Sequence, residues 1–82
     1  MVTLNKHAEF IEQLHKELDA YCKYKELLEV SDDHLKSALK EIMWDEYLHA
    51  KFLRKHLMKI GAYSPEEFAD IEKKYIKVEN DL

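Results

Sequence analysis

One glycine, Gly61, and one proline, Pro65, are all that these 82 residues contain of the strongest breakers of regular structure, and the first 60 positions hold neither. Glycine and proline supply most of the backbone freedom that tight turns need. Charged residues make up 37% of the chain, mostly Glu and Lys, which favour helix. An all-α fold with few, long helices follows. A first helix is expected from about Leu4 to Val30, with Thr3 or Asn5 as its cap. The stretch "SDD" (Ser31–Asp33) supplies capping side chains and a break. A second helix is expected from about His34 to Ile60, with Gly61 at the position past its end where a left-handed residue is favoured. The stretch "SPEE" (Ser64–Glu67) combines a Ser cap, Pro at the first helical position and Glu at the third. It predicts a third helix from about Pro65 to Glu79, with Phe68, Ile71, Tyr75 and Val78 on one face. The first two helices are each about 27 residues, roughly 40 Å long. The very short link between them forces an antiparallel hairpin.

The formal net charge of −4 argues against nucleic acid as a partner, because no basic face offsets phosphate repulsion. No run of ~18 apolar residues and no signal-peptide pattern is visible, which argues against a membrane partner and for a soluble protein. The single cysteine, Cys22, excludes an internal disulfide and any paired-cysteine metal site within one chain. A free thiol fits a reducing compartment, so a cytoplasmic location is expected. Residues 1–82 form one domain at most. With 46% hydrophobic residues the chain can build a core, but at this length association is a usual source of extra stability.

Helix 1 carries a stripe at spacings of three and four: His7, Phe10, Leu14, Glu17, Tyr21, Tyr24, Leu28. Helix 2 carries another: Leu35, Leu39, Ile42, Glu46, His49, Leu53, His56. Such stripes face a partner helix. Burying a carboxylate there without a partner is costly, yet Glu17 interrupts one stripe and Glu46 and His49 interrupt the other. Folding the hairpin about Ser31–Asp32 sets Glu17 level with Glu46, Leu14 with His49, Tyr21 with Ile42, and His7 with His56. The Glu-x-x-His spacing carries little weight alone. Eleven Glu and five His in 82 residues yield it by chance, and "EQLH" repeats it at Glu12 and His15. Position separates the two pairs. Glu12 and His15 fall with Ala8 and Asp19 on the polar face of helix 1, whereas Glu46 and His49 sit in an apolar seam.

Two carboxylates facing each other in a dry seam repel and resist ionisation, and a multivalent cation between them removes both problems. Oxygen and imidazole ligands suit iron or manganese, with zinc also possible. Di-iron carboxylate bundles use one Glu from each of two helices and a Glu-x-x-His from each of the other two. Glu17, Glu46 and His49 are half of that inventory. A two-fold homodimer, or a higher homo-oligomer built on it, would complete the metal site and close a four-helix bundle.

Two motifs also resemble a known family. "ELDAYCKY" (Glu17–Tyr24) has the form Glu-x-x-Ala-x-x-x-Tyr and looks like the first metal-binding helix of rubrerythrins. "DEYLHAKFL" (Asp45–Leu53) resembles their second, where an acidic pair leads into Glu-x-x-His-Ala. The resemblance covers about residues 7–57. It implies the ferritin-like superfamily and non-haem di-iron chemistry on O₂ or peroxide. Carried over by position, Glu17 is a terminal or bridging carboxylate, Glu46 a bridging one and His49 a terminal ligand. All three are thereby the catalytic residues, and Tyr24 is a hydrogen-bond donor to a ligand carboxylate. Rubrerythrins hold two such hairpins per chain and a rubredoxin-like electron donor with paired cysteines. This chain has one hairpin and only Cys22, so the half-length design is closer to encapsulated ferritins. No encapsulin-targeting tail is evident in "YIKVENDL".

Ferroxidase or iron handling is therefore the first expectation, and peroxide reduction with an external electron donor the second. A metal-free dimerisation module, whose polar layer only fixes register, is the reading from another class. His7 and His56 are expected to pack or cap the bundle end. The stripe Trp44, Leu48 and Phe52 is expected to be covered by helix 3 or a higher-order contact. The "EKK" and "KEL" runs read as solvated faces.

Overall fold

In the computed structural model, which describes the backbone of residues 4–82 and side chains from His7 onward, the fold is all-helical. It comprises α1 (Leu4–Glu29), α2 (Asp33–Lys59) and α3 (Ala69–Asp81), with no strand among the described residues. Of the two cap candidates for α1, Thr3 lies outside the described residues and Asn5 falls within the helix.

The α1–α2 link works through its polar side chains. The Ser31 hydroxyl donates to the Leu27 carbonyl at 2.6 Å, closing α1. The Asp32 carboxylate accepts from the Leu35 backbone N–H at 2.8 Å, capping α2. Asp33 in the first turn of α2 and His56 and Lys59 in its last complement the helix dipole.

Past Lys59 the chain closes α2 with paired backbone bonds, Gly61 N–H to Met58 O at 3.1 Å and Ala62 N–H to Leu57 O at 2.9 Å. Gly61 makes this possible with φ of +75°. A Cβ on Gly61 would meet nothing within 4 Å, so a side chain there is opposed by backbone conformation alone. Gly61→Ala is therefore expected to cost about 1–2 kcal/mol. At roughly 4–8 °C per kcal/mol for a domain of this size, calorimetry should show Tm falling by ~4–16 °C.

Helix 3 starts later than "SPEE" predicts, at Ala69 rather than Pro65. The Ser64 hydroxyl does accept from Glu67 N–H at 3.2 Å, and Ser64 O accepts from Phe68 N–H at 3.0 Å. The cap thus closes one turn. At Phe68 the backbone leaves helical geometry (φ −115°, ψ 48°), and its ring stacks on Tyr63 with centroids 5.1 Å apart. The helix proper resumes only afterwards, and it runs to Asp81 rather than Glu79.

The core lies between the hairpin and α3. Leu14, Leu18 and Tyr21 from α1 meet Met43, Tyr47, Ala50 and Leu57 from α2, with Tyr63 and then Tyr75 and Val78 of α3 above them. Fully burying one Leu or Val contributes roughly 1.5–3 kcal/mol. The α2 stripe expected from sequence is therefore rotated. Leu39 and Leu53 do turn inward, but Leu35, Ile42, His49 and His56 stay exposed, and Met43, Tyr47, Ala50 and Leu57 are buried instead. The cause is α3, which draws the packed face of the hairpin toward itself. Nor does α3 cover the second stripe, although Trp44 shares a cleft with Asp81 at its end: Trp44 is 49% exposed and Phe52 72%.

The molecule measures 49 × 23 × 17 Å, and a helix with its side chains is about 10 Å across. Two helix layers fill that thickness. The hairpin face opposite α3 is therefore an outer surface, and residues seven apart identify it. It carries Phe10, Glu17 and Tyr24 on α1, and Leu35, Ile42, His49 and His56 on α2.

Candidate metal centre

Midway along that open face, one atom each from Glu17, Glu46 and His49 come within 4.8 Å of one another. Glu17 is supplied by α1, and Glu46 and His49 by successive turns of α2. The i, i+3 spacing places the α2 pair on one side of its helix, and the short link brings Glu17 to their height. His49 Nδ1 lies 3.3 Å from Glu17 Oε1 and 3.8 Å from Glu46 Oε1. The nearer contact is a hydrogen bond when the ring hydrogen is on Nδ1, and that tautomer leaves Nε2 with its lone pair free. The carboxylates are mostly enclosed, with side chains 12% and 20% exposed, and the imidazole is 60% exposed. The cluster is thus a floor of carboxylates with an imidazole at its rim, opening away from α3.

The electrostatics suit a cation. Removal from water raises the Glu46 carboxyl above its ordinary range, and the neighbouring Glu17 raises it further. A bound metal ion would relieve both effects. Gln13, one turn before Glu17, donates from Nε2 to Glu17 Oε2 at 2.7 Å. This fixes one oxygen of Glu17 and leaves Oε1 facing the other ligand candidates. Sequence reading passed over Gln13, although its i, i+4 spacing from Glu17 was available to find it.

The comparison pair does not assemble. Glu12 pairs with Lys16 at 3.3 Å, and His15 Nε2 with Asp19 at 3.1 Å. Glu12 and Asp19 are exposed, as expected of a polar face, but His15 is half-buried. It lies in a cleft between α1 and the start of α3, beside Ile11, Phe68 and Ile71. His7 and His56 are exposed and belong to no metal-compatible group among the described residues. Tyr24 is half-buried against the core. It stands two turns from Glu17, about 10 Å along the axis, and its hydroxyl bonds to none of the three ligand candidates. Tyr21 is turned away, donating to Asp81 of α3 at 2.7 Å.

The "EKK" run is not a solvated face. Glu72 is 8% exposed. It accepts two bonds from Arg54, at 2.9 and 2.7 Å, and one from the Tyr63 hydroxyl at 2.9 Å. Lys74 reaches Asp19 across the α1–α3 boundary. In the "KEL" run Lys25 binds Asp81 at 2.5 Å. These contacts hold α3 down and set its response to acid. Arg54, and then Tyr63, hold Glu72 below the usual carboxylate range; Lys25, and then Tyr21, do the same for Asp81. A carboxylate depressed in the folded state adds stability above its unfolded value, and that stability is lost as pH falls through the folded value. Undocking of α3 is thus expected below about pH 4, seen as loss of near-UV tyrosine circular dichroism and faster amide exchange in α3.

No helix is long and apolar enough to cross a membrane among the described residues. Compared with family models, with curated proteins and with solved structures, the chain matches none, so the metal-site reading stands on its own residues.

Proposed function

We propose that this chain is a non-haem di-iron protein with ferroxidase or iron-handling activity, its metal site shared between two copies of the chain. The observation that carries the reading is the convergence of Glu17, Glu46 and His49 on a hairpin face that α3 leaves open. One copy offers two carboxylates and one imidazole. Two copies related by a two-fold axis through the cluster offer four and two, the donor set of a di-iron carboxylate bundle. The apolar residues around the cluster, Phe10, Leu35 and Ile42, are exposed in one copy and would be covered by the second. In the resulting four-helix bundle each hairpin keeps its own α3 on the outside.

Iron bound there would supply electron-transfer chemistry toward O₂ or peroxide. The chain's own part is to hold ligands. Glu17 and Glu46 would offset the metal charge. His49 would supply an imidazole nitrogen, with Glu17 held by its hydrogen bond from Gln13. The same ligands accept manganese or zinc. The free Cys22 fits a reducing, cytoplasmic setting. Peroxide reduction with an external electron donor is the second reading, since the same carboxylate and imidazole donors would serve it.

The test is the metal content of the purified protein together with its mass in solution. A dimer or larger even-numbered assembly carrying metal is expected. An intact dimer that binds no metal leaves only a pairing module, and a strictly monomeric chain rejects the shared site.

A further inference from the structure

All four buried tyrosines donate to a carboxylate of α3. Tyr21 donates to Asp81, and Tyr63 to Glu72. Tyr47 and Tyr75 converge on a single oxygen, Glu79 Oε2, at 2.9 and 3.1 Å. This last pair belongs to an aromatic row. Tyr47 and Tyr75 are stacked with centroids 6.2 Å apart, and Trp44 lies 5.5 Å from Tyr47 on the other side. Trp44 is half-exposed, so the row begins at the surface. It continues to Tyr47, which follows Glu46 in α2 but packs toward α3, so that only the width of the α2 backbone separates the row from the cluster.

A phenol gives up an electron readily only when its proton leaves with it, and a hydrogen-bonded carboxylate is the acceptor for that proton. Tyr47 has this partner in Glu79. Tyr75 shares it, but the Arg54 guanidinium stands 4.5 Å over the Tyr75 ring. A fixed positive charge on the ring face opposes removal of an electron from it. Of the two, Tyr47 is therefore the easier to oxidise, and Trp44 is its neighbour toward solvent.

We propose that Trp44, Tyr47 and Glu79 form a proton-coupled electron path joining the Glu17–Glu46–His49 cluster to the protein surface. The inference rests on the cluster being a redox-metal site, and it names the entry route for electrons that the lone Cys22 cannot provide. With hydrogen peroxide as oxidant, each molecule takes two electrons and two protons to give two waters. For each electron, the Tyr47 O–H bond breaks, its proton passes to the Glu79 carboxylate, and the electron goes to the oxidant at the cluster. A neutral phenoxyl remains. Trp44 then passes an electron to Tyr47, which takes its proton back from Glu79. A soluble one-electron reductant refills Trp44 at the surface. Two passages complete the reaction, with solvent supplying the two protons consumed.

The experiment has two arms, each with circular dichroism to verify folding of every variant. In the first, metal-free protein is flash-oxidised with a ruthenium polypyridyl photosensitiser, and the phenoxyl is followed by transient absorption and freeze-quenched electron paramagnetic resonance. A phenoxyl signal lost in Tyr47→Phe is expected. Trp44→Phe should slow its appearance, and Glu79→Gln should slow it on the order of 10²-fold, the effect of removing a positioned proton acceptor. Tyr63→Phe is the control, since Tyr63 is equally buried and equally bonded to a carboxylate but outside the row. It should change nothing. In the second arm, iron-loaded protein receives peroxide, and the same Tyr47-dependent signal is expected. A signal indifferent to Tyr47 and Glu79, or one that Tyr63→Phe removes equally, overturns the path. Iron binding without a Tyr47-dependent signal also overturns it and leaves the metal reading intact. A Tyr47 signal in the flash arm from a protein that takes up no iron when loading is attempted rejects the metal reading, and with it the inner end of the path.

Discussion

Anaerobic titration with Fe(II) is expected to saturate at two ions per pair of chains, and Glu46→Ala or His49→Ala to abolish that stoichiometric uptake. The effect should be large because symmetry doubles it. One substitution removes a ligand from both copies, so Glu46→Ala takes two of four carboxylates and His49→Ala takes both imidazoles. Losing an outer partner of a metal ligand typically costs 10–100-fold in affinity, and Gln13→Ala should fall in that range through Glu17. Loss of a ligand should exceed it, and Glu12→Ala should have no effect. Stability without metal supplies a check of opposite sign. The Glu46 carboxyl is raised in the folded chain. Its contribution is therefore favourable below its unfolded value and is lost as pH rises through the folded one. At neutral pH the ionised group is a burden, so metal-free Glu46→Ala should melt no lower than the parent. A lower melting temperature without metal, together with unchanged iron uptake, would reject Glu46 as a ligand.

The second large effect concerns Arg54. Arg54→Ala leaves the Glu72 carboxylate under α3 with only the Tyr63 hydroxyl to answer it. Removing one partner of a buried ion pair typically costs 3–5 kcal/mol. Because Arg54 and Glu72 are 24% and 11% exposed, the lower end applies, about 3 kcal/mol. For a chain of this length that lowers Tm by roughly 12–24 °C. The loss also removes the guanidinium from the face of Tyr75. Replacing both partners together, Arg54→Met with Glu72→Leu, should recover much of the loss, since no unpaired charge then remains. Scanning calorimetry distinguishes the cases. Equal melting of the single and double variants would show that the ion pair is not what matters at this position.

The sequence spoke clearly where one local rule governs a position. Asp32 and Gly61 act through their own backbone, so the ends of α2 fall within one residue of expectation. The convergence of Glu17, Glu46 and His49 was also legible, because a hairpin with a short link leaves few choices of height. What lay beyond reading was set by α3, which is placed by contacts remote in sequence. Its docking decides that Met43 and Tyr47 are buried while Ile42 and His49 are not, although both sets have helical spacing. Glu72 illustrates the limit. Within "EKK" it has the composition of a surface residue, and it is buried because Arg54, 18 positions earlier, and the Tyr63 hydroxyl answer its charge.

The carboxylates of α3 have one further consequence. Apolar surfaces tolerate sliding, because one greasy contact replaces another when a helix slips by a turn. Glu72, Glu79 and Asp81 behave instead like the teeth of a key, each matched to hydroxyls or a cation at a fixed depth. Slipping α3 by one turn would strand buried tyrosine hydroxyls at once, each at a cost of about 1–3 kcal/mol. Alternative dockings of this 13-residue helix are thereby pushed well above the native one. The chain spends its polar groups on selecting a single alignment, and leaves the work of cohesion to its leucines and tyrosine rings.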